Sequence, residues 1–277
     1  MPRSPRTEVP KASEARGAEA RGAEARGAEA RGAEVRGAEV RPVAALGSTE
    51  RETLRRLMEA HYEGVCPEVF ARDLDAKDAV VLLRDDAGAL RGFSTVARER
   101  VRAGELEALV FYSGDTVVEA AHRHTAALPR AWSRYVFAEA RRMPDVPTYW
   151  FLICSGYKTY RFLPTFYRRF LPGPGQPERE DERRLLDAVA RARFGTRYNA
   201  RTGVIRLEHP TPLRPGVADL TAHRLADPHV AFFAARNPGH ARGDELACLC
   251  RIHPENLTPA GARMVGPDLA RPLPAPP

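Results

Sequence analysis

"FYSGDTVVEAAHRHTAALPRAW", Phe111 to Trp132, begins as a strand and continues as a helix. Aromatic and β-branched residues fill Phe111–Val118, and Glu119 onward has the Ala, Arg and Leu content of a helix. A helix that starts where a strand ends presents unpaired N–H groups and the positive end of its dipole, a setting suited to phosphate. An ordinary crossover helix starts the same way. Two residues inside the stretch bear on the choice. Asp is depleted in strands, so Asp115 on an interior strand needs a partner or a task. Gly114 beside it marks a bulge or a close backbone approach.

The pattern extends in both directions. Upstream, "AVVLLRDDAGALRGFSTVA" (79–97) reads as a hairpin with its turn at Asp85–Gly88, and a second turn near Ala103–Gly104 leads into Glu105–Val118. This makes three successive antiparallel strands. Before them, Val43–Leu46 is expected as a short first strand. "STERETLRRLMEAHYEG" (48–64) is expected as a helix with Leu54, Leu57, Met58 and Tyr62 on one face, Thr49 and Glu52 at capping-box spacing and Gly64 as its stop. Pro67 opens a shorter helix.

Downstream, Glu119–Arg142 is helical in composition, with Pro129 expected to kink or split it. "TYWFLICS" (148–155) is apolar enough for a central strand covered on both faces. "GYKTYRFLPTFYRRFLP" (156–172) is aromatic and partly helical. After the linker "GPGQP" comes a charged helix, 178–194, with Leu185, Leu186, Val189 and Ala192 inward. "GVIRLE" (203–208) and "DELACLCRI" (244–252) are further strands, and the loop "RNPGHARGDEL" (236–246) either caps a site or is a plain surface loop.

Composition narrows the class. The chain has 277 residues, room for one large or two small domains. From Arg16 to Val40 it repeats RGAEA or RGAEV five times. A five-residue period builds no apolar seam, and a recurrent Gly opposes helix by about 1 kcal/mol each time. Residues 1–41 are therefore expected to be a disordered arm, and the Pro-rich 266–277 a disordered end. Between them, 42–172 is expected as the main domain and 173–265 as an extension packed on it. The net charge of +7 rests on arginine, since only Lys11, Lys77 and Lys158 are lysines. Many arginines adjoin acids, as in "EREDERRLL" (178–186), which reads as a solvated helix face rather than a nucleic-acid surface. Cys248, Cys250 and His253 lack the ligand spacing of a zinc site, and Cys66 and Cys154 add no disulfide framework. With no signal peptide and no apolar run near the ~20 residues of a membrane span, the expected location is cytoplasmic.

The order of strand, two helices, three antiparallel strands, helix, strand and helix resembles the GNAT superfamily of acyl-CoA-dependent N-acyltransferases over roughly 41–172. The resemblance implies a mixed α/β fold: a mostly antiparallel central sheet flanked by helices. In the family's R/Q-x-x-G-x-G/A turn, backbone N–H groups hold the cofactor's pyrophosphate. Here "VVEAAHRHTAAL" sets Val117 and Val118 at the end of the strand and Arg123 at the motif Arg. Ala126 and Leu128 stand where the family has glycines, and Leu128 would crowd a phosphate if it faced one. Val117, Val118, Arg123, His124, Thr125 and Ala126 are the implied donor-binding residues. The donor would be acetyl-CoA or another acyl-CoA, with an acyl carrier protein thioester as the alternative.

A second likeness lies in "FYRRFLP" (166–172), similar to the family's Tyr-x-x-x-Gly-Phe. Tyr167 takes the place of the tyrosine that protonates the departing thiolate, while Leu171 and Pro172 replace Gly-Phe. The implied reaction is attack of an amine on a thioester, which needs a proton acceptor, an acid for sulfur and N–H groups at the carbonyl oxygen. Asp115 is the first candidate for base or amine-orienting group, ahead of Glu107 and His124. Tyr157, Tyr160, Phe162 and Phe166 would suit an acyl chain. The acceptor would be a small-molecule or peptide amine. The alternative is a non-catalytic protein on the same scaffold that binds an acyl ligand or a partner. The region after Pro172 offers no clear counterpart to the family's closing hairpin.

Overall fold

The computed structural model describes residues 35–271. Most of the expected N-terminal arm and Pro-rich end, residues 1–34 and 272–277, lie outside the described residues.

The sheet starts inside the repeat. β1 (Val35–Pro42) pairs antiparallel with β2 (Ala79–Asp85), with Ala38 opposite Leu83 and Val40 opposite Val81. Alternation explains why this unit can serve as a strand. Ala38 and Val40 share the face that packs on the core, while Glu39 and Arg41 point the other way and pair with Arg84 and Glu50. Val43–Leu46, expected as the first strand, instead forms one 3₁₀ turn over Val43–Ala45.

Helix α1 (Ser48–His61) starts two residues earlier than the Thr49–Glu52 spacing implies, with Gly47 at the N-cap and Glu50 at the third helical position. The Glu50 carboxylate accepts from Gly47 N at 3.2 Å, and Glu52 is engaged by Arg55 and Arg56 instead. Helix α2 (Pro67–Asp75) follows.

β3 (Leu90–Ala103) pairs with β2 along one edge, Ala79 opposite Val96, and has two partners in succession along the other. Its second half, Ala97–Ala103, pairs with β4 (Leu106–Ser113), and Gly92–Ser94 pairs with the short β5 (Thr116–Val118). Helix α3 (Ala127–Arg141) comes after a 3₁₀ turn at Ala120–His122. Pro129 is its third residue, where an N–H would have no partner in the helix, so it neither kinks nor splits it. β6 (Thr148–Cys154) lies between β4, to which it is parallel, and β9 (Glu245–Arg251), to which it is antiparallel. Short helices α4 (Tyr157–Tyr160) and α5 (Phe162–Phe166) follow β6. Helix α6 (Glu180–Phe194) turns Leu185, Leu186, Val189 and Ala190 inward; Ala192 is exposed, one step off the buried stripe.

The remaining elements are β7 (Tyr198–Asn199), β8 (Val204–Ile205), α7 (Ala222–Leu225), α8 (Pro228–Arg236) and α9 (Pro259–Val265). The strand order is β1-β2-β3-β4-β6-β9-β8-β7, with β5 on β3. Residues 266–271, expected in the disordered end, pack on α3: Asp268 pairs with Arg134 at 2.9 Å, and Leu269 and Ala270 meet the core.

Helices cover both faces. One face carries a single core with α3, α8 and the aromatic turns after β6. The other carries two clusters, α1 and α2 over β2–β3 and α6 over β4, β6 and β9. Among the described residues no helix is long and apolar enough to cross a membrane, and no three potential ligand side chains group around a metal position. Cys248 lies in the core with its sulfur 3.9 Å from that of Cys154, so burial accounts for the alternating cysteines of β9.

Candidate active site

β4 and β6 stay paired as far as Ser113 opposite Leu152. Gly114 and Asp115 then leave the ladder, and β5 follows β3. The end of β6 keeps its other partner, with Ile153 opposite Ala247 and Cys154 opposite Leu246. A gap therefore opens between β5 and residues 153–155. A side chain at Gly114 would crowd the parting point: a Cβ there would lie 3.0 Å from Lys77 Cε and 3.1 Å from Thr95 Oγ1, so both side chains would have to yield slightly.

The free edge of β5 can be assigned from its hydrogen bonds. Glu119 N donates to Arg91 O and Thr95 N to Asp115 O. Antiparallel alternation then turns the N–H and C=O of Val117 toward Phe93, and those of Thr116 and Val118 toward the gap. The Val118 carbonyl is taken by His61 Nε2 at 2.9 Å and Arg123 Nε at 3.1 Å.

A cavity lies on each side of the gap. The one on the α3 face has about 290 Å³ and mostly apolar walls, among them Leu128, Trp132, Trp150 and Phe166. The one on the other face, between the α1–α2 cluster and the α6 cluster, has about 420 Å³. Tyr62, Gly114, Thr116, Ile153 and Thr159 line both, so the two cavities meet at the gap. The segment after β8 passes over the opening. Leu207 and Thr211 line the second cavity, and Leu213 and Val217 the first. It is tied to the end of α1 by Glu63 N to Pro212 O and Arg214 N to His61 O, both 2.9 Å.

Three antiparallel strands, a crossover helix, a parallel strand, and the parting of the third strand from its parallel neighbour give the element order implied by the sequence. The layout is GNAT-like. No protein-family model and no curated protein matches the chain. Solved structures similar to it include a probable N-acyltransferase from Enterococcus faecalis, at 15% identity over 48% of this chain and 33% of that one, TM-score 0.37. Another is an Arabidopsis thaliana NAA60 in complex with a bisubstrate analogue, at 16% identity over 48% of this chain and 86% of that one, TM-score 0.34. A third is the Escherichia coli GNAT-family N-acetyltransferase YhbS in complex with CoA, at 13% identity over 47% of this chain and 68% of that one, TM-score 0.33. This chain spans about a third of the length of the first of these. Similarities this low say nothing about chemistry.

The residues singled out from sequence separate between the two cavities. Val117, Val118, Arg123, Thr125 and Tyr167 line the α3-face cavity of this GNAT-like layout. Asp115 lines the other. His124 is exposed on the turn and Ala126 is the N-cap of α3; neither lines a cavity. Leu128 is buried in the core and touches the cavity from below the turn. Glu107 pairs with Arg100 and Arg102 at the far end of β4. Phe162 and Phe166 line the α3-face cavity, whereas Tyr157 and Tyr160 are core residues, Tyr160 donating to Pro172 O at 2.9 Å.

Tyr167 is buried, packs on Trp150 with ring centroids 5.9 Å apart, and makes no side-chain hydrogen bond among the described residues. Burial first, then Cys250, holds its phenol in the protonated form. At the mouth of the same cavity Arg123 and Lys158 stand near Arg224. Burial lowers the Lys158 pKa, and the two arginines lower it further. None of the three forms an ion pair among the described residues.

The second cavity is acidic at its base. Glu245, the first residue of β9, is 7% exposed, and its pKa is pushed up to about 8 by burial and then by Asp115 and Asp73, against a hydrogen bond from Ser155. Asp115 retains some exposed surface, yet protein surrounds its carboxyl closely enough for desolvation to dominate. Together with Asp73 this raises its pKa to about 7, against the pull of Lys77. Lys77 is committed to Asp73, with Nζ 2.5 Å from Oδ2. In the sequence, Glu245 is inconspicuous as part of an apolar strand. The available signal was a carboxylate opening an uninterrupted apolar run, Leu246 to Cys250, all of it buried in the structure.

Proposed function

We propose that the chain is an N-acyltransferase that moves an acyl group from a CoA thioester to an amine. One observation carries the reading. An apolar cavity with cations at its mouth and a carboxylate-based cavity meet at the gap that opens between β5 and the end of β6, where β4 stops pairing with β6.

The α3-face cavity fits the donor. Arg123, Lys158 and the start of α3 suit the phosphates. The gap-facing N–H and C=O of Thr116 and the N–H of Val118 suit the amide-bearing arm, and the apolar walls suit the chain. Phe162 and Phe166 are placed to contact the acyl group or the arm. The thioester carbon would then lie in the gap, reachable from the other face. A small-molecule or peptide amine entering there attacks that carbon. The C–N bond forms and the C–S bond breaks. The amine proton passes to the Asp115–Glu245 pair, whose raised pKa values suit a base near neutral pH. The departing thiolate takes the Tyr167 proton.

Release of free thiol from acetyl-CoA in the presence of an amine panel tests this. Thiol release that depends on an amine and is lost in Glu245→Gln supports the reading. Saturable CoA binding without turnover toward any amine would instead support the ligand-binding alternative. Phosphopantetheine alone binding as tightly as CoA would favour a carrier-protein donor.

A further inference from the structure

The second cavity has opposite charges at its two ends. At its base are Glu245 and Asp115, and neither forms an ion pair among the described residues. The cation nearest to Asp115, Lys77, is held by Asp73. At its mouth are Arg72 of α2 and Arg197 after α6, both exposed and both without an ion pair among the described residues. Arg197 Nε donates to Phe194 O at 3.1 Å, which anchors the root of that guanidinium at the rim. The third arginine in the wall, Arg193, is already committed: its Nε lies 3.0 Å from Glu99, and its guanidinium covers the Tyr112 ring at 4.4 Å. Glu208 is exposed beside the rim and pairs with neither arginine.

This order of charge discriminates between amines. A simple amine satisfies the base and leaves the rim arginines to water. A diamine would bring its second cation against them. A zwitterion inserted amine first places its ammonium among the carboxylates and its carboxylate at the guanidinium forks, which bind carboxylates bidentately. A volume of about 420 Å³ accommodates a free amino acid together with ordered water.

We infer that the acceptor is an amino acid, bound with its amine at Asp115 and Glu245 and its carboxylate at Arg72 and Arg197. This deepens the acyltransferase reading and rests on it for the reaction, but binding tests it separately. Calorimetry on the full chain would compare each standard L-amino acid with its carboxamide and with the amine lacking the carboxylate. At least one amino acid is expected to bind roughly tenfold or more tightly than either analogue. Arg72→Ala with Arg197→Ala should remove that preference while shifting the carboxamide's affinity far less.

Equal binding of an amino acid and its carboxamide overturns the inference, as does tighter binding of a diamine than of any amino acid. Amino-acid binding without thiol release overturns the acyltransferase reading and leaves the binding inference standing. Thiol release with amines and carboxamides but not with amino acids does the reverse.

Discussion

Trp150 Nε1 donates to Ser113 Oγ at 2.8 Å, joining β6 to the last residue of β4 at the point where the strands part. Both side chains are buried, so the bond closes two polar groups at the apex of the gap. Trp150→Phe leaves the Ser113 hydroxyl buried and unpaired. A loss of about 1–3 kcal/mol in unfolding free energy is expected by urea titration. Trp150→Phe with Ser113→Ala should recover part of that loss.

Glu245→Gln keeps the shape at the base of the second cavity and removes the carboxylate proposed to accept the proton. A fall of roughly 10²–10⁴-fold in kcat is expected. In the native protein kcat/KM should rise as pH passes through about 7 to 8, because the pair must lose a proton to act. In Glu245→Gln that rise should shift or flatten, and a full pH profile of both proteins reads it.

The same carboxylates affect stability. Folding raises the Glu245 pKa from the ordinary 4.5 to about 8, so between those values the folded chain binds more protons than the unfolded one. Its contribution is therefore complete below about pH 4.5 and is lost progressively as pH rises toward 8. Other acids act in the opposite sense at lower pH, among them Asp85, held down by Arg91. The expected result is a falling melting temperature from about pH 6 to 8, with a shallower fall in Glu245→Gln.

Arg123→Ala and Lys158→Ala should each weaken CoA binding about two- to fivefold at low salt. The contrast with the native protein should shrink as salt is raised, since both side chains are solvent-exposed. Calorimetry at two salt concentrations checks it.

Gly92 faces β5 so closely that a Cβ would come within 2.7 Å of Val117 O. Gly92→Ala must move β5 toward the gap or break its pairing with β3. A loss of about 1–3 kcal/mol is expected, together with weaker CoA binding.

The β2–β3 hairpin, β4, α1, α2 and the central β6 were legible because each has its own local period; β1 was not, because its alternation is hidden in a five-residue repeat that reads as disordered. Asp115 was legible because a carboxylate in a strand is costly without a reason. Tyr62, Ser155 and Glu245 were not: Ser155 and Glu245 meet because β9 lies beside β6, a pairing between residues almost a hundred apart in sequence, and Tyr62 joins them where the end of α1 bridges to Leu213. The cavities belong to the same kind of information. They depend on β5 choosing β3 over β6, and nothing in "SGDTVV" names the partner. Pro129 shows the converse: it was expected to kink or split a helix running from Glu119, but the helix begins at Ala127, so the proline sits in its first turn and breaks nothing.

β1 is built from a repeated unit, and the repeat is nearly equivalent to itself when moved by one period. Ala33, Glu34 and Val35 match Ala38, Glu39 and Val40 residue for residue. Loss or gain of a fifteen-nucleotide coding unit upstream would change the length of the leading segment yet deliver the same side chains to the edge beside β2. Such a lineage can vary the number of its repeats freely while the strand that uses the last of them keeps its chemistry. The sheet is thereby buffered against a kind of mutation that tandem repeats make frequent.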